Sequence, residues 1–246
     1  MNETIRLLQN HRSIRKFTDE PISPELMNEI FHSAQMASTS TNMQAYSVIA
    51  VTNPELKTEL SVLTGNQKHV EQCPIYLVWC ADLNRLKITC ELNSKEPSYL
   101  NSMENFIVAN VDTALAAQNA AIAAESAGLG VVFVGGVRNR IREVTKLLNI
   151  PELVFPLFGM CLGYPVQQPI IRPRLPLEVV VHNDYYQDEH FEKYISEYDN
   201  QIEKYMMERT RGKRNDKWSD IMTDKLSHPI RMHMSTYIEE QGFKLE

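Results

Sequence analysis

VDTALAAQNAAIAAESAGLGVVFVGGVRN, residues 111–139, carries the strongest structural signal in the chain. Its alanines belong to a helical pattern over about residues 102–127, and small side chains around most of a helix indicate close packing by neighbours on several sides. Gly128 and Gly130 end the helix, and the apolar run at 131–134 has the composition of a strand. The segment predicts a central helix followed by a buried strand.

Strands and helices alternate on both sides of this segment. IYLVWCA (75–81) and FPLFGMCLG (155–163) are almost continuously apolar, which indicates strands covered on both faces, and the β-branched YSVIAVT (46–52) predicts another strand. Further helices are predicted at about 3–10, 24–37, 53–63 and 138–148. This order indicates a three-layer α+β or α/β domain, followed over 188–246 by a charged helical excursion with a basic interruption at 210–216.

The bulk composition limits the classes of function. The chain has 246 residues, of which 43% are hydrophobic, so it can bury a substantial core. Its net charge of −6 gives no long-range attraction for nucleic acid or anionic lipid. The N-terminus lacks the apolar core of a secretion signal, and no window offers the ~18 apolar residues of a membrane span, so we expect a soluble, cytoplasmic protein. The four cysteines lack metal-ligand spacing and are interpreted as buried thiols, with no metal site.

A basic segment near the N-terminus is the first candidate for chemistry. His11-Arg12-Ser13-Ile14-Arg15 concentrates three potentially cationic side chains and a hydroxyl. In an extended segment alternate residues share a face, so Arg12 projects opposite to His11, Ser13 and Arg15. Such a segment could clamp a phosphate on one side and a polar ring edge on the other. Taken by itself, the segment is more typical of a solvated basic turn.

A second basic candidate is Arg172-Pro173-Arg174. Proline restricts the residue before it, so the two guanidinium groups become a prearranged pair in an extended connection. Arginine forks match phosphate oxygens in a bidentate manner. Incidental arginines on a surface loop are the alternative interpretation, but two separate arginine clusters in an acidic protein favour an anion site.

Gly135-Gly136 directly follows the predicted strand at 131–134. The backbone can approach a ligand there because no Cβ intervenes, although a plain tight turn has the same sequence. The pair is not part of a GxGxxG fingerprint, and the chain also lacks GxSxG, HExxH and Walker A motifs. Any chemistry is therefore borrowed from a cofactor.

A row of polar side chains forms the fourth candidate. Ser38-Thr39-Ser40-Thr41, together with Gln67, offers hydroxyls and an amide able to hydrogen-bond the carbonyls and imides of a heterocycle. A loop at a helix end would have the same composition.

Several motifs occur in an order that resembles a known family. HRSIRKFTDEPIS, STSTNMQ, LTGNQKHV, the 111–139 segment, FPLFGMCLGYP and RPRLP look like the oxygen-insensitive NADPH nitroreductase and flavin reductase family, of the major nitroreductase A type, over essentially the whole chain. The resemblance implies an α+β fold with a central mixed, mainly antiparallel sheet. It also implies a single FMN-binding domain over 1–246, a homodimer with FMN at the subunit interface, and residues 188–246 packing on the partner.

The resemblance further implies roles for individual residues. Arg15 matches the cation beside flavin N1 and O2, and Arg138, Arg211 and Arg214 resemble the NADPH phosphate region. The phosphate and ribityl contacts of FMN are implied for His11, Arg12, Ser13, Arg172 and Arg174. Polar contacts to the ring and side chain are implied for Ser38, Thr39, Ser40 and Gln67, and the backbone strip facing N5 for Val134, Gly135 and Gly136. Arg172 stands where relatives often carry lysine, which keeps the charge and changes its geometry.

The implied activity is hydride transfer from NADPH to flavin N5, followed by reduction of nitroaromatics, quinones or free flavin in ping-pong order, without a catalytic acid or base from the protein. One alternative is a flavin reductase or azoreductase for which nitro compounds are incidental acceptors. Another is a non-catalytic flavin- or nucleotide-binding protein. RNA binding through the RGKR loop is disfavoured by the acidic net charge.

Overall fold

The structure is a computed structural model and describes residues 2–244. Its helices are α1 Glu3–Gln9, α2 Pro24–Gln35, α3 Pro54–Leu63, α4 Lys68–Gln72, α5 Asn84–Leu92, α6 Met103–Ser126, α7 Ile141–Leu147, α8 Phe191–Thr210, α9 Trp218–Ser227 and α10 Met234–Glu240. Its strands are β1 Tyr46–Val51, β2 Ile75–Asp82, β3 Gly130–Val134 and β4 Val154–Gly163. The chain divides into two compact units. The first comprises the residues up to Gln168 and those from Arg231 onward, and the second is Pro169–Ile230.

The four strands form one sheet in the order β1-β2-β4-β3, and every pairing between them is antiparallel. Parallel pairing occurs at an isolated bridge between Ser13 and Val131, where the Ile14 amide donates to the Val131 carbonyl at 2.8 Å. The α+β alternative is therefore confirmed over α/β, since crossover helices between parallel strands would give the other class.

Helices cover both faces of the sheet, which makes the predicted three layers. All eight residues of β2 are buried, as expected for a central strand with apolar side chains on both sides. On one face Leu77 and Trp79 pack with alanines of α6 and with Ile30 of α2. On the other face Tyr76 and Val78 pack with residues of α3, α4 and α7.

The alanine-rich helix α6 matches its predicted span, but it is packed on one side only within the described chain. Its buried positions are Ala109, Asp112, Thr113, Ala116, Ala117, Ala120, Ala121 and Ala124. The opposite side carries an exposed apolar stripe, Ile107, Val111 and Leu115, in which each side chain is about half exposed. These residues are four apart and so share one helix face. We expected neighbours on several sides of α6. Among the described residues of the first unit, neighbours pack on one face of the helix only.

By length and composition alone, α6 could also cross a membrane, with a mean hydropathy of 1.2 over 18 residues. The expectation that no window reaches such apolarity is therefore wrong on composition. Of that window, 39% is buried inside the fold, and a core helix of a soluble protein passes the same test.

Short elements differ from the sequence predictions. The helix expected at 138–148 is split into a 3-10 turn, Gly135–Arg138, followed by α7. Helix α5 was not predicted because it has no buried residue and only weak apolar periodicity. Its start is fixed instead by Asp82, whose Oδ1 accepts from the Arg85 amide at 3.2 Å.

The second unit is built on the two helices predicted on either side of the basic interruption. Tyr198, Ile202 and Tyr205 of α8 pack with Trp218 of α9. Asp199 joins the helices, because its carboxylate accepts from the Ser219 amide at 2.9 Å and from the Ser219 hydroxyl at 2.5 Å. The predicted excursion falls mostly in this unit, while its last residues from Arg231 belong to the first unit.

Two buried tyrosines differ in whether their hydroxyl groups make a hydrogen bond, and this difference can be tested. The Tyr237 hydroxyl meets the Thr145 hydroxyl at 2.5 Å, whereas the Tyr76 hydroxyl has no hydrogen-bond partner among residues 2–244. An unpaired buried hydroxyl costs free energy, so we expect Tyr76→Phe to leave the free energy of unfolding unchanged or to raise it by up to ~1 kcal/mol. Tyr237→Phe should lower it by about 1 kcal/mol. Urea denaturation measures both, and equal losses in the two variants would contradict the assignment.

Candidate functional site

The N-terminal basic segment lies along the edge of the sheet, where β3 begins. It is held there by the bridges from Ser13 to Val131 and from Phe17 to Pro165. The approach is close, because a Cβ added to Gly130 would lie 2.7 Å from the Ile14 side chain. Gly130 therefore does more than end α6, since it lets the basic segment reach β3.

Two predicted cations of this segment have different surroundings. His11 Nδ1 lies 2.6 Å from a carboxylate oxygen of Glu125, in the last turn of α6. Arg12 donates to the Asn10 side chain at 2.8 Å, while its buried Nε has no partner among the described residues. Arg12 and Ile14 line one groove of about 520 Å³, in agreement with the predicted alternation.

Arg15 and Gln67 reach one region from separate parts of the chain. The Arg15 guanidinium is close enough to α4 that, after burial, it is the second cause that lowers the pKa of His69. Gln67 immediately precedes α4, and its side-chain amide donates to the Thr64 carbonyl at 2.8 Å. A Cβ on Gly136 would approach that amide nitrogen to 2.5 Å. Gln67 and Gly136 are thus in contact, and Arg15 lies near His69, two residues after Gln67.

The two consecutive glycines have different roles. Gly136 is buried, and the Thr64 carbonyl and the Gln67 amide occupy the space that a side chain would need. Internal packing therefore requires a glycine at this position. The Cβ of a residue at Gly135 would meet only the ends of the Arg138 and Arg231 side chains, at 3.3 Å and 4.0 Å. Of the pair, Gly135 is the one whose neighbours are the ends of cationic side chains.

Arg138 and Arg231 form a pair of cations beside Gly135. Arg138 donates to the Leu157 carbonyl, and Arg231 donates to the Asn139 side chain at 3.0 Å. Neither guanidinium has a carboxylate within ion-pair distance among residues 2–244. Burial and the neighbouring Arg231 lower the pKa of Arg138, and burial lowers that of Arg231. Two half-buried cations without counter-charge are typical of an anion site.

The polar row Ser38–Ser40 is positioned by a carboxylate of α6. Asp112 is 1% exposed and accepts from the Ser40 amide at 3.0 Å and the Ala45 amide at 3.1 Å. The Thr39 hydroxyl accepts from the Gln44 amide at 3.4 Å. The loop that carries Ser38–Ser40 is therefore an ordered turn, fixed by hydrogen bonds to the Asp112 carboxylate.

In the second unit, the Arg172-Pro173-Arg174 segment is fixed by Tyr198, whose hydroxyl donates to the Pro173 carbonyl at 3.0 Å. Both arginines are exposed. Arg174 donates to the Arg172 carbonyl at 3.2 Å, and the Arg172 guanidinium lies 6.0 Å from the Tyr205 ring centre.

The basic loop of the second unit holds two arginines in different states. Arg214 donates from Nε to Asp216 at 2.7 Å, and this hydrogen bond raises the pKa of Arg214. Arg211 is the left-handed C-cap of α8 and is exposed. Among the described residues Arg211 has no carboxylate within ion-pair distance, so its charge is the more available of the two.

Sequence reasoning missed four residues of this region: Asp112, Glu125, Arg231 and His69. Asp112 could have been found, because an aspartate within the buried alanine pattern of α6 needs a partner. Arg231 and Glu125 gave no local signal, since each acts on residues about a hundred positions away.

Comparison with known proteins identifies the family of the chain. The family model described as the nitroreductase family matches residues 8–164, and the model for its C-terminal domain matches 172–246. The chain is 44% identical to "FMN reductase (NADPH)" of Bacillus subtilis, over 99% of both chains, and 43% identical to "Oxygen-insensitive NADPH nitroreductase" of Salmonella typhimurium, over 99% of both. The solved structure of NfrA1 of B. megaterium superposes with a TM-score of 0.96 at 46% identity, covering 98% of this chain and 99% of that one. This chain belongs to the nitroreductase family.

Proposed function

We propose that this chain is an FMN-dependent oxidoreductase that takes hydride from NADPH and reduces nitroaromatics, quinones or free flavin in ping-pong order. The observation that carries the proposal is the pair Arg138 and Arg231 beside Gly135, two half-buried cations that have no carboxylate partner among the described residues. Two half-buried cations without a counter-charge at one site favour an anionic ligand there. The relatives named for FMN and NADPH supply the identity of that ligand class.

The donor set fits FMN. The buried Nε of Arg12 has no partner among residues 2–244, and Gln67 contacts Gly136. These donors support a flavin site, to which we assign Arg15 as well. The proposed FMN contacts in the first unit are His11, Arg12, Ser13, Arg15, Ser38, Thr39, Ser40, Gln67, Val134, Gly135 and Gly136. Those in the second unit are Arg172 and Arg174.

NADPH is proposed to meet Arg138, Arg231 and the basic loop of the second unit. Within that loop we propose that Arg211, and not Arg214, binds the 2′-phosphate, because Arg214 already pairs with Asp216. The flavin would supply the redox chemistry when bound, so the protein would need no acid or base of its own. Arg15 contributes positive charge where the reduced ring accumulates negative charge.

We further propose a homodimer in which the exposed stripe of α6 meets a second copy of the chain. Ile107, Val111 and Leu115 present an apolar face along one helix, which a partner helix would bury. Residues 188–246 would pack on the partner, completing one FMN-binding domain over 1–246. A cytoplasmic location is supported by four free cysteines and by the need for NADPH.

The decisive experiment for the function is an anaerobic reductive titration. Protein loaded with FMN should lose its yellow absorption on addition of NADPH, and the colour should return when a nitroaromatic or quinone is added. Protein that holds FMN but is not bleached would instead be a non-catalytic flavin binder. A colourless protein that refuses excess FMN would overturn the whole proposal.

Arg15 is expected to act on turnover more than on cofactor retention. In Arg15→Ala, the rate of hydride transfer should fall by about tenfold or more, because charge stabilisation at the reduced ring is lost, while the Kd for FMN rises less. Stopped-flow bleaching gives the rate and fluorescence titration gives the Kd. Arg6→Ala, which removes an exposed arginine of α1, is the matched control. Equal rates for Arg15→Ala and the parent protein would refute the role.

The dimer proposal predicts that a charge on the α6 stripe separates the subunits. Val111→Glu should shift sedimentation velocity from dimer toward monomer, since a buried unpaired carboxylate is costly at an interface. Leu92→Glu, on the exposed side of α5, should leave the parent's oligomeric state unchanged. A monomeric parent protein, or a dimer insensitive to Val111→Glu, would contradict the assignment of this face.

A further inference from the structure

Glu125, in the last turn of α6, pairs with His11 of the N-terminal basic segment. Its Oε1 lies 2.6 Å from His11 Nδ1, and the pair is largely shielded, with 13% of the Glu125 side chain and 30% of the His11 side chain exposed. The contact joins residues 114 positions apart and ties the segment to α6. It therefore fixes the position of the imidazole relative to the sheet edge.

Helix stability does not explain this glutamate. Glu125 is the penultimate residue of α6, where the negative end of the helix dipole disfavours a carboxylate. A glutamate retained at such a position, with its charge directed at one nitrogen of a histidine, points to a role for that histidine.

The hydrogen bond determines what the imidazole offers to a ligand. Because a carboxylate accepts only, the proton of the shared bond belongs to Nδ1, and Nε2 is the nitrogen left to face a ligand. A terminal phosphate also has only acceptor oxygens at its ionised end, so it is bound by the imidazolium form, in which Nδ1 and Nε2 both carry a proton and Nε2–H donates to the phosphate. The imidazole then lies between the phosphate and the Glu125 carboxylate, which separates the two negative charges.

We propose that Glu125 is a positioning residue that orients His11 toward the phosphate of the flavin cofactor and thereby selects FMN over unphosphorylated flavin. The inference rests on the proposed function, and it deepens it by naming the residue that sets phosphate selectivity. In this assignment Glu125 acts through His11.

The test compares FMN with riboflavin, which has the same ring and lacks the phosphate. Full-length protein freed of flavin is titrated with each, and the two Kd values are measured by fluorescence quenching. In Glu125→Leu the Kd for FMN should rise about tenfold, the loss expected for one charge-assisted hydrogen bond, while that for riboflavin changes less than about twofold. Glu125→Gln keeps an acceptor at Nδ1 and should lose less FMN affinity.

Two further variants separate positioning from general stability. If Glu125 acts through His11, Glu125→Leu should have no added effect on the FMN-to-riboflavin ratio in a His11→Ala background. Glu240→Leu breaks a different inter-element ion pair of the same unit, with Arg142, and should leave the ratio unchanged.

Equal losses of FMN and riboflavin affinity in Glu125→Leu, or no loss of either, would overturn the inference while leaving the flavin enzyme intact. Equal affinity of the parent protein for the two flavins would do the same. Failure of the parent to bind either flavin would instead overturn the proposed function.

Discussion

Close packing of the alanine face of α6 against the sheet is the constraint on which the candidate site depends. Methyl side chains such as those of Ala116 and Ala120 allow the helix axis to approach the strands more closely than larger residues would. The same face carries Asp112 near its middle, and Glu125 lies at its end. Fixing one helix therefore fixes two carboxylates, one beneath the Ser38–Ser40 row and one beside His11.

Charge distribution separates the structural from the ligand-binding part of the first unit. Carboxylates are used where the chain holds itself together, as in the pair of Arg142 with Glu240. Around Gly135 the pattern reverses, because Arg138 and Arg231 lie close enough for one to lower the pKa of the other and no acidic side chain among residues 2–244 pairs with them. Such mutual repulsion destabilises the folded chain alone, and an anionic ligand would remove it.

The sequence predicted most where the signal was local. Continuous apolar runs gave β2 and β4. The helices predicted to begin near residues 3, 24 and 53 are confirmed, and the structure shows that the side chains of Asn2, Ser23 and Asn53 cap them. Residues joined only in space could not be found this way. Arg231 reaches Asn139 from 92 positions away, and nothing in its own neighbourhood distinguishes it from a solvated arginine. The role of Gly136 could not be predicted either, because Gly136 packs on Thr64, a residue distant in the sequence.

The loop after α2 shows how a site can hold a backbone that local preference opposes. Thr41, Asn42 and Gln44 have φ values of 45°, 60° and 49°, in the left-handed region that costs free energy for residues with a side chain. A free loop would relax from that conformation. Here the Asp112 carboxylate accepts amide hydrogens on both sides of the strained residues, at Ser40 and Ala45, and burial strengthens both bonds. The strained turn therefore persists because one core carboxylate, itself placed by the alanine packing of α6, closes it at both ends.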